Sequence, residues 1–303
     1  MSERRGGPTK PRRLRELIAR GTVVLPGAFN ALTAMQIERA GFDAVYISGA
    51  SLAAARGLPD IGLLSMTEVL SDATTIVDAV AVPALADADT GYGGPLNVMR
   101  TVRAFEQAGL AGLHLEDQDS PKQCGHLPGK RLVTVADMAR KIAAAVEARR
   151  DPDFLIVART DARAGEGLEG AIVRARAYVE AGSDAVFPEA LESAEEFRLF
   201  AQGLCQVGVM VPLVANMTEF GKTPYLTVQE FEALGYRLVL FPVTALRSAA
   251  KAVETMLAEL HARGTQQQAL DRMLTRTQIA DLLGYEEYER RGQDIQTRFD
   301  EGT

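Results

Sequence analysis

The sequence predicts an α/β fold, a (β/α)8 TIM-type barrel with additional C-terminal helices. Three observations predict it. Short apolar or β-branched runs recur along the chain and alternate with segments whose apolar residues follow the helical spacing. The passage from helix to strand is written four times in nearly the same words, "AGFDAVYIS", "AGLAGLHLE", "AGSDAVFPE" and "LGYRLVLFP", each with a glycine suited to cap a helix. The strand-like runs number eight within about 240 residues, which suits a parallel sheet closed into a barrel and covered by helices. An open doubly wound sheet is the competing architecture, disfavoured because no G-x-G-x-x-G turn follows the first run.

Taken in order, residues 1–15, "MSERRGGPTKPRRLR", read as a flexible basic N-terminal arm, since no apolar core of a signal peptide follows them. The catalytic barrel is expected over 16–263. Its strands are "TVVLPG" (22–27), "DAVYISG" (43–49), "VPALADAD" (82–89), "GLHLED" (112–117), "FLIVARTD" (154–161), "DAVFPEA" (184–190), "MVPLVANM" (210–217) and "RLVLFPVT" (237–244). Amphipathic stretches such as "ALTAMQIERAG", "PLNVMRTVRAFEQAG", "LEGAIVRARAYVEAG" and "VQEFEALG" lie between them. After the eighth strand come "ALRSAAKAVETMLAELHARG" and a charged helical extension over 264–303, expected to pack on a neighbouring element or subunit.

Composition narrows the function. The 303 residues are 47% apolar, enough for a sizeable core. The net charge of −7, with both signs dispersed, gives no footprint for nucleic acid or an anionic membrane. No apolar run approaches the ~20 residues that span a bilayer. Two cysteines, Cys124 and Cys205, make neither a disulfide framework nor a zinc knuckle, and a reducing cytoplasm is the simplest compartment. Cys205 reads as a packing residue.

In such a barrel the active site is built at the C-terminal ends of the strands. Here those ends are polar: Tyr46 and Ser48, Asp87 and Asp89, Glu116 and Asp117, Arg159 and Asp161, Glu189, Asn216 and Thr218, with Arg247 in the eighth unit. Asp87 and Asp89 are two apart and face the same way, with Glu116 on the adjacent strand. Hard oxygen donors without a cysteine or histidine pair suggest Mg2+, with Mn2+ as the alternative. Gly91, Gly93 and Gly94 would allow close approach of backbone and substrate. Arg159, Arg247 and Arg276 suit bidentate recognition of carboxylates, which makes an acidic small molecule the expected partner. Asp161 and Glu189 are the acidic partners a merely structural Arg159 would need. His114 is open between core and support of the site. Cys124 falls in a long Gly- and Pro-marked loop after strand four, a lid in expectation, where Lys122 and His126 would lower the pKa of its thiol.

"KQCGH" resembles the K-[KR]-C-G-H signature of the isocitrate lyase and phosphoenolpyruvate mutase superfamily. "YISGAS", "DADTGYG", "HLEDQ", "VARTDA", "FPEA" and "NMTEFG" follow in the order of that family, from about Pro26 to Tyr288. Gln123 stands where a basic residue is usual, and Ala50 where the family has glycine. The resemblance implies Mg2+-dependent cleavage of 2-methylisocitrate, a tricarboxylate, into pyruvate and succinate in propionate catabolism. It implies that Asp87 and Asp89 hold the metal, with Glu116 supporting it directly or through water. Ser48, Gly49, Ala50, Cys124, Gly125, Arg159, Glu189, Asn216, Met217, Thr218, Arg247 and Arg276 would line the substrate site. The chemistry asks for a base, for which Tyr46 is the candidate, and for an acid that protonates the departing carbanion, for which Cys124 is suited. The family also suggests a homotetramer exchanging C-terminal helices.

Rival readings are cleavage of isocitrate or of 2,3-dimethylmalate within the same superfamily, and a non-catalytic barrel serving as an interaction protein. Relatives that cleave isocitrate are usually longer and carry a tryptophan near strand six. This chain has no tryptophan and reads Phe187 before Glu189, which leaves room for a methyl group.

Overall fold

The computed structural model describes residues 7–123, 125 and 129–300. The order of elements is α1 (Lys10–Arg20), β1 (Val23–Ala28), α2 (Ala31–Arg39), β2 (Val45–Ile47), α3 (Gly49–Ala55), α4 (Met66–Ala79), β3 (Ala84–Asp87), α5 (Pro95–Gln107), β4 (Gly112–Glu116) and α6 (Val135–Ala148). It continues with β5 (Leu155–Thr160), α7 (Arg163–Glu180), β6 (Ala185–Pro188), α8 (Ala194–Gln206), β7 (Leu213–Asn216), α9 (Val228–Ala233), β8 (Tyr236–Phe241), α10 (Thr244–Arg263), α11 (Arg276–Leu282) and α12 (Tyr285–Asp300). The chain divides into two compact units, Met1–Leu246 and Arg247–Thr303.

The eight strands form a closed parallel barrel in sequence order, and β1 closes it against β8 with Val24 opposite Val239. All eight strand-like runs of the sequence are strands, so the open sheet is excluded. In the four repeated phrases the glycine that ends the helix takes a positive φ: Gly41 at 90°, Gly109 at 85°, Gly182 at 103° and Gly235 at 91°. A side chain there would be strained, which is why the same helix-to-strand phrase recurs.

Side chains alternate across each strand. On β2, Val45 and Ile47 face the helices while Tyr46 faces the barrel interior, and on β4 Leu113 and Leu115 face out. The interior is filled by Val23, Leu25, Leu85, Val157, Phe187, Val214 and Leu240, among others. It is therefore a packed core, with its polar groups confined to one end.

The basic arm expected over 1–15 needs correction, because α1 begins at Lys10. Thr9 caps it by accepting from Arg12 N, and Pro11 sits in its first turn, where a missing N–H costs nothing. Leu14 and Ile18 are buried with the barrel-interior residues, and Arg15 bonds to the Asp153 carbonyl at 2.7 Å and pairs with Asp184 at 3.0 Å. The basic residues thus lie on the outer face of a helix whose apolar side is buried. In the second unit the charged extension is broken into a 3-10 turn (Gln267–Arg272), α11 and α12, not one helix.

The segment between β4 and α6 is an excursion pinned at its root. Gln118 and Leu132 form an antiparallel bridge, Asp119 N donates to the Arg131 carbonyl at 2.8 Å, and Val133 N donates to that of Asp117 at 2.9 Å.

Candidate active site

The site is built on the last residues of β2 to β7. Asp87 ends β3 and is buried, with Oδ2 accepting from Gly49 N at 3.3 Å and Oδ1 from Asp89 N at 3.0 Å. A Cβ at position 49 would lie 2.9 Å from Asp87 Oδ2, so the close approach depends on glycine. Asp89 itself adopts φ 46°, a left-handed conformation that strains a non-glycine residue and turns the chain back beneath the mouth. Its carbonyl accepts from Glu116 N at 3.0 Å, tying the two acidic strand ends together.

Arg159, at the end of β5, is almost fully buried. Its Nε lies 2.9 Å from Asp161 Oδ2 and 3.2 Å from Glu116 Oε2, its Nη2 lies 3.2 Å from Asp161 Oδ1, and its Nη1 lies 3.1 Å from Glu189 Oε2. Donor capacity remains on both terminal nitrogens. The guanidinium sits over the Phe187 ring at 5.2 Å. Asn216 Nδ2 reaches both oxygens of Glu189 at 3.2 Å, which orients its amide and leaves Oδ1 without a partner among the described residues. Gly125 rests on this group: a Cβ there would meet Arg159 Nη2 and Glu189 Cγ at 2.5 Å.

Other expected residues are placed less directly. Ser48 caps α3, and Gly49 and Ala50 form its first turn. Thr218 is buried beyond β7. Met217 goes the other way, packed with Ala215, Val239 and Phe231 in the layer between barrel and helices, so only its backbone is available to the mouth. Arg247 and Arg276 belong to the second unit, on α10 and at the start of α11. Cys124 and His126 lie outside the described residues.

Some residues carry more than the sequence reading gave them. Lys122, whose charge that reading assigned to the thiol, is buried and committed elsewhere, 2.5 Å from Asp60 Oδ1 and 3.0 Å from Asp89 Oδ1. Lys130 is buried against Asp161 at 2.9 Å and also bonds to the Gly125 carbonyl. Asp117 accepts from Thr160 Oγ1 at 2.7 Å, Asp161 N at 2.9 Å and Tyr178 OH at 2.8 Å, and pairs with Arg174 at 3.4 Å. It is a structural carboxylate that holds the ends of β4 and β5 and the helix α7 together. His114, on β4, places Nε2 2.7 Å from Tyr46 OH and 3.6 Å from Asp87 Oδ1.

The electrostatics follow from burial. Desolvation raises the Asp89 carboxyl to about 6, with Asp87 adding to the rise and Lys122 opposing it. Burial also pushes Asp87 up, but the positive charges around it prevail and hold it below the usual range. His114 counts little among those charges at neutral pH, since burial lowers it to about 4, leaving Lys122 and Arg159 as the effective ones. Glu116 is raised well above the ordinary carboxylate range by burial, with Arg159 the largest opposing charge. Tyr46 is likewise raised, by burial first and then by Asp87.

A cation fits this arrangement. Asp87, Asp89, Glu116, Asp161 and Glu189, with the half-buried Asp60 beside them, outnumber the cationic groups of Lys122, Lys130 and Arg159 that they share. Glu116 Oε1 is buried without a partner among the described residues, while Asp89 Oδ1 and Glu116 Oε2 meet only the cationic groups of Lys122 and Arg159. No group of three or more His, Cys, Asp or Glu side chains among those residues forms a complete metal cage. A cation held there by one or two carboxylates would complete its coordination with waters or substrate oxygens.

The family profile described as phosphoenolpyruvate phosphomutase matches residues 14–261, the whole span of the barrel. The chain belongs to the phosphoenolpyruvate phosphomutase family. A 2-methylisocitrate lyase of Aeropyrum pernix is 52% identical over 289 residues, covering 95% of this chain and 92% of that protein. The 2-methylisocitrate lyase of Bacillus subtilis is 48% identical over 278 residues, 91% of this chain and 90% of that one. The crystal structure of a 2,3-dimethylmalate lyase, itself described as a member of the phosphoenolpyruvate mutase/isocitrate lyase superfamily, superposes with a TM-score of 0.89 at 34% identity, over 95% of this chain and 96% of that one. The superfamily resemblance carried by "KQCGH" and its companions is thus borne out. No helix among the described residues is long and apolar enough to cross a membrane.

Proposed function

We propose that the chain is a carbon–carbon lyase that cleaves 2-methylisocitrate to pyruvate and succinate, with Mg2+ as its metal and Mn2+ as a possible substitute. The observation that carries this reading is the buried mouth itself, where Asp89 and Glu116, only partly offset by Lys122 and Arg159, stand beside Asp87, and Glu116 Oε1 has no partner among the described residues. A tricarboxylate would be repelled by that acidic cluster alone. With the cation held by Asp87 and Asp89, and by Glu116 directly or through water, the same cluster becomes a receptor for it. When bound, the metal supplies positive charge to the hydroxyl and carboxylate that become pyruvate.

The chain's own groups perform the remaining work. Tyr46 is the candidate base for the hydroxyl proton; burial keeps its phenol protonated, so its oxygen takes that proton as its own O–H proton passes to a neighbouring carboxylate. Ser48, Gly49, Ala50, Asn216 and Thr218 line the strand ends around the substrate, and Arg159 offers its free N–H groups to a carboxylate. Arg247 and Arg276 are assigned to the succinyl carboxylates. Breaking the carbon–carbon bond leaves its electron pair on the succinyl fragment, and Cys124, beside Gly125 in the chain and assisted by His126, returns a proton to that carbon.

Choice among the related acids rests on Phe187. Its ring lies in the interior directly beneath Arg159 and edge-on to His114, with ring centroids 5.4 Å apart, and on this reading the smaller size of a phenyl than an indole is what admits the methyl group. Cleavage of 2,3-dimethylmalate is the second reading, favoured by the close superposition on such a lyase. That substrate has one carboxylate fewer and would make less use of the arginine set. Measuring kcat/KM for 2-methylisocitrate, isocitrate and 2,3-dimethylmalate in one preparation decides between them, and an equal or greater value for either rival overturns the assignment. Release of a keto acid from none of the three, pyruvate from 2-methylisocitrate or 2,3-dimethylmalate and glyoxylate from isocitrate, would sink the lyase reading in favour of an interaction protein.

For the assembly we propose a homo-oligomer, with a tetramer as the family suggests. Tyr288, Ile295 and Phe299 are exposed on α12, and a second copy would cover them. A cytoplasmic location is the matching proposal for a metabolic enzyme of this kind.

A further inference from the structure

His114 faces the barrel interior from β4, level with Asp87 of β3 and Val157 of β5, and it is completely buried. Its ring is confined by the edge of Phe187 on one side and lies nearly parallel to Tyr46 on the other, at an interplanar angle of 14°. Nδ1 has no hydrogen-bond partner among the described residues. Nε2 faces two oxygens, that of Tyr46 at 2.7 Å and Oδ1 of Asp87 at 3.6 Å. A neutral imidazole carries one N–H, and an orphaned buried donor is rarer and costlier than an under-used acceptor. The proton therefore belongs on Nε2, donated to the nearer oxygen. We propose that His114 is a positioning residue, whose Nε2–H holds the Tyr46 oxygen and turns the phenol's own O–H away from the imidazole, so that proton exchange at Tyr46 has a fixed direction.

A purely structural role does not account for the choice of residue. An apolar side chain would fill the layer without stranding Nδ1, so the fold bears a cost there that packing does not return. The inference rests on the reading of Tyr46 as the group that exchanges the hydroxyl proton. It leaves the choice of substrate open.

Two measurements test it, one of them independent of turnover. The chain has three histidines, so 15N NMR of the imidazoles assigns His114 by its absence in a His114→Gln variant. The expected spectrum shows the proton on Nε2 and a shift of that resonance in Tyr46→Phe. A proton on Nδ1, or no response to Tyr46→Phe, overturns the proposal whatever the enzyme cleaves. The second measurement uses the metal-loaded enzyme and whichever of the three acids it cleaves best. His114→Phe keeps a ring but no donor, and should lower kcat by ~10 to 100-fold with KM changed less than about threefold, the scale for mispositioning a proton-transfer group. His114→Gln, whose amide N–H replaces Nε2–H, should recover about tenfold of that loss. In a Tyr46→Phe background the His114→Phe change should cost less than about twofold more, because coupled positions are not additive. Equal kcat for the Phe and Gln variants at equal thermal midpoints, or full multiplication of the two losses, refutes positioning. Should His114→Phe fail to fold, Gln is compared with Asn, whose shorter amide replaces the Nδ1 position; equal kcat for these two refutes it as well.

Discussion

Lys122 Nζ lies 3.0 Å from Asp89 Oδ1, joining the root of the loop after β4 to an acidic strand end that also carries the proposed metal. The lysine offsets only part of the charge. Asp89 still titrates at about 6, above its unfolded value of ~3.9. In metal-free protein this raised pKa means that the folded state holds a proton more tightly than the unfolded state between those two values. Its contribution to stability is present at acid pH and is lost as pH rises through about 6. A cation binding the ionised form restores stability above that pH and competes with the proton below it. The thermal midpoint of chelated protein is expected to rise on adding Mg2+ at pH 7.5 and to rise much less at pH 5. A shift as large at pH 5 would contradict the placement of the cation on Asp89.

Asp87 bears on activity more directly. Chelated enzyme should be inactive and recover fully when Mg2+ is titrated back. Asp87→Ala should be inactive at every Mg2+ concentration, because it removes a buried oxygen pair that also anchors Gly49 and the turn at Asp89. Full turnover by the stripped enzyme would exclude a catalytic metal.

Cys124→Ser should leave the barrel intact and lower turnover by at least ~100-fold, since a hydroxyl is a much weaker proton donor than a thiol. Succinate binding, followed by calorimetry, is expected to change little. Turnover within a few-fold of the unmodified enzyme would remove Cys124 from the role of acid.

Stability has its own marker in Asp117, which accepts from Thr160, the Asp161 amide and Tyr178 and pairs with Arg174, all in the interior. Asp117→Ala strands the donors of Thr160, Asp161 and Tyr178, while Arg174 keeps its bidentate pair with Glu166, a loss on the order of 1–3 kcal/mol. Urea titration measures it. A loss below about 1 kcal/mol would show that the neighbouring groups find other partners.

How far the molecule is legible in its sequence depends on the range of the interaction. The strands are legible because four helices end on a glycine at positive φ just before a strand, and the strands are largely apolar on both faces. The polar strand ends are legible because the barrel directs them to one mouth. Helix α1 is not, since a basic surface hides the two residues, Leu14 and Ile18, that bury it. The pairs Lys122 with Asp60, and Lys130 with Asp161, join residues far apart in the chain, and neither partner signals the other. The outward turn of Met217 follows from counting faces along β7, where Val214 and Asn216 point inward and Ala215 and Met217 outward. Side-chain alternation was the available signal.

Phe187→Trp tests the origin of substrate choice. The phenyl ring is buried beneath the Arg159 guanidinium at 5.2 Å and meets His114 edge-on, so an indole would press on Arg159, beside which the methyl group of 2-methylisocitrate is proposed to lie. Filling or leaving the space of one methyl is worth ~1 to 3 kcal/mol, or roughly 10 to 200-fold in kcat/KM. The variant should therefore lose at least tenfold on 2-methylisocitrate relative to isocitrate, and isocitrate itself should be affected less. Overpacking alone would lower both values together and lower the thermal midpoint. A specificity ratio unchanged from that of the parent enzyme, at any thermal midpoint, would show that Phe187 does not sense the methyl group and would move the discrimination elsewhere in the mouth.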